Sequence, residues 1–178
     1  MSDRSLEDLL ASARTGDAES IARLCGMFYP KVLTYMRYRV DASSAEDLTG
    51  EVFVRVLSHI AGQNGSFVAW LYRIAGNVVV DHARSKATRR ERTLDEKTPE
   101  PAASDDPRAA SAPEIESALA GLTDEQRELV TLKFIQGLSN SQIAEITGRS
   151  AEAIRALQFR TLAALRERLG RFVEGDKP

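Results

Sequence analysis

The sequence predicts an all-α fold: two small helical domains joined by a flexible acidic linker, the C-terminal one a helix-turn-helix. Three observations carry this expectation. Apolar residues recur every three or four positions toward both ends of the chain, and strand alternation is absent. Two capping boxes, Thr123-Asp-Glu-Gln126 and Ser139-Asn-Ser-Gln142, open successive helices in the last third. Between the ends, Leu94 to Pro113 is rich in Pro, Ala, Ser, Asp and Glu and lacks any period, which marks a linker. The domains are accordingly expected at 1–91 and 114–178, with the linker at 92–113.

The N-terminal domain reads as four helices. The first runs from Leu6 to Arg14 and breaks at Thr15-Gly16-Asp17. The second runs from Ala18 to about Val40, with Leu24, Phe28, Val32 and Tyr35 along one side; Pro30 is expected to kink or divide it. Ser43 and Ser44 are expected to cap the third, where Ala45, Leu48, Val52, Val56 and Ile60 keep register. Its opposite side carries Asp47, Glu51 and Arg55 at i, i+4 spacing, a pattern that also suits a solvated, ion-paired face. Gly62-Gln63-Asn64-Gly65 is a polar loop, after which Ser66 caps the fourth helix. That helix begins aromatic (Phe67, Trp70, Tyr72) and ends in the basic run Arg84, Lys86, Arg89, Arg90 and Arg92. Rings beside a basic track suit single-stranded nucleic acid, whose bases stack and whose phosphates need neutralising. Trp70 and Phe67 equally suit core anchors.

In the C-terminal domain the first helix should run from Thr123 to about Gln136 and stop at Gly137. The second is short, with Ile143, Ala144 and Ile146 as its apolar contacts. After the turn Thr147-Gly148-Arg149, Ser150 caps a long basic helix. Phasing at about 100° per residue places Ile154, Leu157, Leu162, Leu165, Leu169 and Phe172 on the buried face. Arg155, Ala156, Phe159, Arg160 and Ala163 then face outward. An exposed Phe between arginines fits a DNA major groove, where Arg pairs with guanine and Phe packs on a thymine methyl.

Composition narrows the function classes. At 43% hydrophobic and 28% charged the chain is globular, and no apolar run is long enough to span a membrane. The N-terminus lacks the pattern of a signal peptide, so the cytoplasm is expected, without membrane insertion. The single cysteine, Cys25, excludes an intramolecular disulfide and a Cys-based zinc site and reads as a small buried hydrophobe. His59 and His82 have no metal-spaced partners, and neither a phosphate loop nor a nucleophile elbow appears. No catalytic residue, metal or cofactor is therefore expected. A net charge of −2 gives no argument for nucleic acid; only the local clustering does.

Three segments carry a resemblance. Asp47-Leu-Thr-Gly-Glu-Val-Phe-Val-Arg-Val-Leu57 resembles the core-polymerase-binding helix of bacterial sigma factors. Phe67-Val-Ala-Trp-Leu-Tyr-Arg-Ile-Ala-Gly-Asn77, continuing to Asp81 and Arg84, resembles the helix that melts and reads the −10 promoter element. Leu122 to Val130, Gly137-Leu-Ser139, Ile143-Ala-Glu-Ile146 and Ile154-Arg155 resemble the −35-reading domain. Their order, the linker and the short chain are similar to the minimal two-domain, extracytoplasmic-function kind.

The resemblance implies partners and roles. Asp47, Glu51 and Phe53 match positions that dock on the largest subunit of core RNA polymerase; the second-largest subunit is an expected partner too. The loop from Gly62 to Ser66 matches the segment that captures a flipped −10 base, which places Gln63, Asn64, Ser66, Phe67 and Trp70 at that element. Asn77 and Arg84 match positions near the melted strand. Arg155, Phe159 and Arg160, with Ser150 and Ala156 beside them, match the −35 contact. The protein would lend promoter specificity to polymerase, join the nucleoid within holoenzyme, and catalyse nothing itself. The linker permits, without requiring, an anti-sigma factor that wraps both domains. Gly50 stands where Gln is common and Gly76 where a basic residue is common. Leu157 and Leu162 stand where arginines are frequent, both expected on the buried side. A stand-alone helix-turn-helix regulator is the alternative; it would bind duplex DNA by itself, usually as a dimer.

Overall fold

The computed structural model describes residues 3–92, 119 and 121–175, with side chains described for 5–89, 119 and 121–168. Every regular element among the described residues is helical. The chain divides into two compact units, Met1–Thr98 and Pro99–Pro178. The expected linker at 92–113 lies almost wholly outside the described residues, as do the side chains of Leu169 and Phe172.

The first unit holds α1 (Asp3–Arg14), α2 (Ala18–Arg37), α3 (Ala42–His59), a 3-10 turn (Ile60–Gly62) and α4 (Phe67–Arg92). Asp17 caps α2, its carboxylate accepting from the Ser20 backbone N–H at 2.8 Å. Leu24, Phe28, Val32, Tyr35 and Met36 of α2 are buried against Leu48, Val52 and Val56 of α3 and Leu71, Ala75 and Val78 of α4. Each such large apolar side chain contributes about 1.5–3 kcal/mol by leaving water. Edge-on ring pairs, Phe28–Phe67 at 5.1 Å and Tyr35–Tyr72 at 5.4 Å, lock α2 to α4. Helix α1 packs on α2 and on the 3-10 turn, burying Leu9, Leu10 and Ala13.

Two expectations are narrowed or corrected here. Of the two outcomes expected at Pro30, a kink or a division, the division does not occur: α2 runs unbroken from Ala18 to Arg37. Its missing N–H removes one backbone bond, and the burial of Phe28 and Val32 on either side outweighs that loss. Ser43 and Ser44 do not cap α3; Asp41 is the N-cap residue. The two hydroxyls lie inside the first turn and donate back to the Asp41 carboxylate, at 2.9 and 2.6 Å. That carboxylate also accepts from Lys86 Nζ at 3.1 Å, with His82 Nε2 at 3.6 Å, so the start of α3 is tied to the basic half of α4. The Ser44 hydrogen bond foremost, with those of Ser43 and Lys86, holds Asp41 well below the usual carboxylate range despite partial burial.

The second unit holds α5 (Asp124–Val130), a π-helical turn (Thr131–Ile135), α6 (Asn140–Thr147) and α7 (Ala151–Gly175). Both capping boxes form as read, with Thr123 and Gln126, and Ser139 and Gln142, each serving the other's backbone N–H. The first helix was expected to run regularly to Gln136. It instead widens after Val130, where the Gln136 N–H reaches the Thr131 carbonyl. The Thr131 hydroxyl donates to the Arg127 carbonyl at 2.8 Å, a competition that loosens a helix. Gly148 ends α6 at φ 68°, a conformation that favours glycine. The core gathers Leu129, Leu132, Ile143, Ile146, Ile154 and Leu157.

Leu162 also departs from its expected place. It is 44% exposed, and Thr161 takes the buried position. Residue 162 lies eight positions from Ile154, about 80° round the helix from it and on the side away from buried Leu157 and Thr161. Thr161 is tolerated inside because its hydroxyl donates to the Leu157 carbonyl at 2.8 Å.

Candidate nucleic-acid interface

In the second unit the outward face of α7 presents Arg155, Ala156, Phe159, Arg160 and Ala163, all exposed. Phe159 shows 77% of its surface to solvent, far more than a packing role needs. Arg155 lies one turn into the helix and pairs with Glu152 at 2.8 Å, an exposed contact that an approaching acceptor can replace at little cost. Ser150 caps α7 by accepting from the Ala153 N–H at 3.1 Å. One polar tie joins α6 to α7, and a second joins the turn between them to α5. Asn140 Nδ2 donates to Gln158 Oε1 at 2.9 Å, and Arg149 donates through two nitrogens to Glu125 on α5. The Arg149 guanidinium holds the Glu125 carboxyl below its ordinary value.

In the first unit the loop before α4 is built from inside. Gln63 is turned inward and only 3% exposed. Its Nε2 donates to the Asn64 carbonyl at 2.9 Å and the Gly65 carbonyl at 3.0 Å, while its Oε1 accepts from Arg14 of α1. Gly65 sits at φ 73°, which only glycine adopts without strain. Asn64 is exposed and donates to the Gly62 carbonyl at 3.1 Å. Ser66 caps α4, accepting from the Ala69 N–H at 3.2 Å. Phe67 is buried against Phe28, whereas Trp70 is half-exposed, its ring 5.9 Å from that of Phe67. Asn77 and Arg84 are exposed further along α4.

Asp47 and Glu51 are exposed on α3, but Phe53 is 8% exposed and packs on Tyr29 at 5.6 Å. Arg55 bridges Glu51 to Asp81 of α4, the latter at 3.1 Å. The apolar surface beside the two acids is Val54 and Leu57 on α3, with Val80 exposed on α4. These three were missed in the sequence. The signal was present: Val54 and Leu57 fall outside the 45-48-52-56-60 register, so they had to point away from the core. Phe134 and Ile135, exposed on the π turn, had no such signal, because an expected regular helix gives them another phase.

Comparison with known proteins gives this arrangement its family. Residues 24–89 match Sigma-70 region 2, and residues 118–167 match Sigma-70, region 4. The ECF RNA polymerase sigma factor SigC of Mycobacterium tuberculosis is 31% identical over 168 residues, spanning 92% of this chain and 90% of the relative. The chain belongs to the extracytoplasmic-function sigma factors.

This sigma factor is 36% identical over 170 residues to the ECF RNA polymerase sigma factor BldN of Streptomyces coelicolor, covering 89% of the chain and 63% of that longer protein. Among solved structures, it shares its fold with the sigma factor RpoE of Bartonella quintana, solved with the anti-sigma factor NepR. That likeness has a TM-score of 0.78 at 18% identity and covers 86% of this chain and 98% of that one. As a sigma factor it directs RNA polymerase to promoters, and the two matched regions contain the two faces described above. Helix α1 precedes the region 2 match. Among the described residues no helix is long and apolar enough to cross a membrane, and no cluster of His, Cys, Asp and Glu has metal-ligand geometry.

Proposed function

We propose that the sigma factor reads its promoter with two separate faces, using domains at 1–91 and 114–178 joined by the linker at 92–113. The α7 face reads the −35 element: Arg155 and Arg160 address base edges, Phe159 packs on a thymine methyl, and Ser150 and Ala156 flank them. The loop before α4 receives an unstacked −10 base, with Asn64 and Ser66 at its rim and the open part of Trp70 as a stacking platform. Asn77 and Arg84 follow the melted strand. Asp47 and Glu51 dock on the largest subunit of core polymerase, with Val54 and Leu57 supplying the apolar part of that contact. Gln63, Phe53 and Phe67 have inward side chains and support these faces from below.

The observation that carries the reading is the α7 face, where a ring left in water stands between two arginines on a capped helix-turn-helix. Bond-making stays with the polymerase; this chain supplies selection and strand opening. It acts in the cytoplasm, within holoenzyme on the nucleoid. An anti-sigma factor is a further partner, on the family resemblance. The test is run-off transcription with and without core polymerase on a promoter-substitution panel. Sequence-dependent transcripts only with core support the reading. A tight footprint by the chain alone, with no gain from core, sinks it in favour of a stand-alone regulator.

A further inference from the structure

We propose that Arg14 of α1 is a positioning residue for −10 base selection, acting through Gln63; this rests on the loop reading above. Arg14 lies 49 residues from Gln63 and outside the residues that match region 2. Its guanidinium donates to Gln63 Oε1 beneath the loop, where Gln63 is 3% exposed. An amide has one acceptor end and one donor end, and a cation can face only the acceptor. Arg14 therefore fixes which way the Gln63 amide points.

With Oε1 toward Arg14, Nε2 faces the loop and holds the Asn64 and Gly65 carbonyls, at 2.9 and 3.0 Å. Two successive peptide units are thereby clamped at the point where Gly65 takes its left-handed turn. That clamp sets where the exposed Asn64 side chain stands and how far it lies from the α4 cap at Ser66. The chain is thus Arg14, Gln63, loop backbone, base. Helix α1 thereby acts on the loop from a fixed place, its buried Leu9, Leu10 and Ala13 anchoring it to the body of the unit. Without Arg14 the inward Oε1 loses its donor, so the amide is held from the loop side alone and the clamp it makes on the two carbonyls is free to shift.

The experiment is abortive or run-off transcription by reconstituted holoenzyme on a −10 substitution panel and a −35 substitution panel, at two salt concentrations. The variants are Arg14→Ala, Arg14→Lys, Gln63→Glu and Asn64→Ala. Arg14→Ala is expected to lower the ratio between preferred and disfavoured −10 bases by about fivefold, the lower end of what one base-discriminating contact supplies. Its −35 preference and salt slope should remain those of the parent. Arg14→Lys, which keeps a cationic donor, should restore part of the ratio. Gln63→Glu keeps an acceptor for Arg14 but sets a carboxylate oxygen against both carbonyls, so it should lose discrimination, with circular dichroism at the assay temperature showing that the unit is folded. This variant decides the matter if Arg14→Ala melts below the assay temperature. Equal weakening of every promoter with a shallower salt slope would make Arg14 a phosphate contact and overturn the proposal. Unchanged −10 ratios in Arg14→Ala and Gln63→Glu, with a loss in Asn64→Ala, overturn the brace alone. Unchanged ratios in all variants overturn the loop reading and the brace with it.

Discussion

Phe159 gains little from folding, since most of its ring stays in water. Phe159→Ala is therefore expected to shift stability by no more than about 0.5 kcal/mol, while transcription from promoters with thymine in the −35 element falls. Arg155 and Arg166 share a charge but not a place. Arg155 lies at the N-terminal end of α7, where recognition helices meet base edges, and Arg166 lies three turns on. Arg155→Ala should cost about 1–3 kcal/mol and relax preference at one or two −35 positions. Arg166→Ala should weaken all promoters alike or none. A −35 panel transcribed by holoenzyme separates them; a uniform loss from Arg155→Ala would refute base reading there. Asp41 carries a pH signature. Its carboxyl is depressed in the folded state, above all by the Ser44 hydrogen bond, so its stabilising effect is complete above the ordinary carboxylate value of about 3.9. The effect is lost as the pH falls from there through the lower folded value. Asp41→Asn should flatten the acid limb of stability below about pH 4, read as urea midpoint against pH.

At the level of single helices, α3 would, on the proposed reading, separate packing from polymerase docking by face. The core register is buried, and Asp47 and Glu51 stand opposite it. The pairing of Glu51 with Arg55 is solvent-exposed and contributes about 0–1 kcal/mol at most. Asp47→Lys with Glu51→Lys should thus abolish polymerase association in a pull-down while helical content by circular dichroism is retained. Retained association would show that the match to the docking helix is accidental. Gly50 sits in mid-helix, and a Cβ added there meets nothing within 4 Å. Gly50→Ala should stabilise by up to about 1 kcal/mol through backbone entropy alone, measured as a raised melting temperature. Features of this local kind were legible in the sequence: the capping boxes, the Gly148 turn and the α3 register all depend on neighbours within one or two turns. Where two local signals compete, legibility failed. Asp41 and the serines after it all suit an N-cap, and only the fold decides which residue takes it.

Across the whole molecule, the two readout faces belong to units with separate cores, so their affinities combine only when a scaffold fixes their spacing. The free protein is expected to give no tight promoter footprint at physiological salt and to gain sequence specificity with core polymerase; footprinting with and without core checks this. Of the candidate site residues, Asp47, Glu51, Asn64, Asn77, Arg84, Ser150, Arg155, Ala156, Phe159 and Arg160 are exposed. Gln63, Phe53 and Phe67 turned inward because their partners, Arg14, Tyr29 and Phe28, lie far away in the chain. Motif matching fixes a residue's position along a helix, whereas its direction depends on what packs beneath it. Val54 and Leu57 show the converse, since their outward direction follows from the register of their own helix.

Helix α4 is one unbroken rod of 26 residues, from beside the loop to the basic end. At 1.5 Å per residue it measures about 39 Å, roughly eleven base steps of a DNA strand at 3.4 Å each. On the proposed reading, a rod of fixed length would serve as a ruler between the loop that receives a base and the basic end that follows the strand. It is also a phase lock. One alanine inserted between Val80 and Arg84 would lengthen it by only about 1.5 Å, yet would swing the basic end by about 100°. Strand opening should therefore tolerate a changed side chain along this helix far better than a changed residue count.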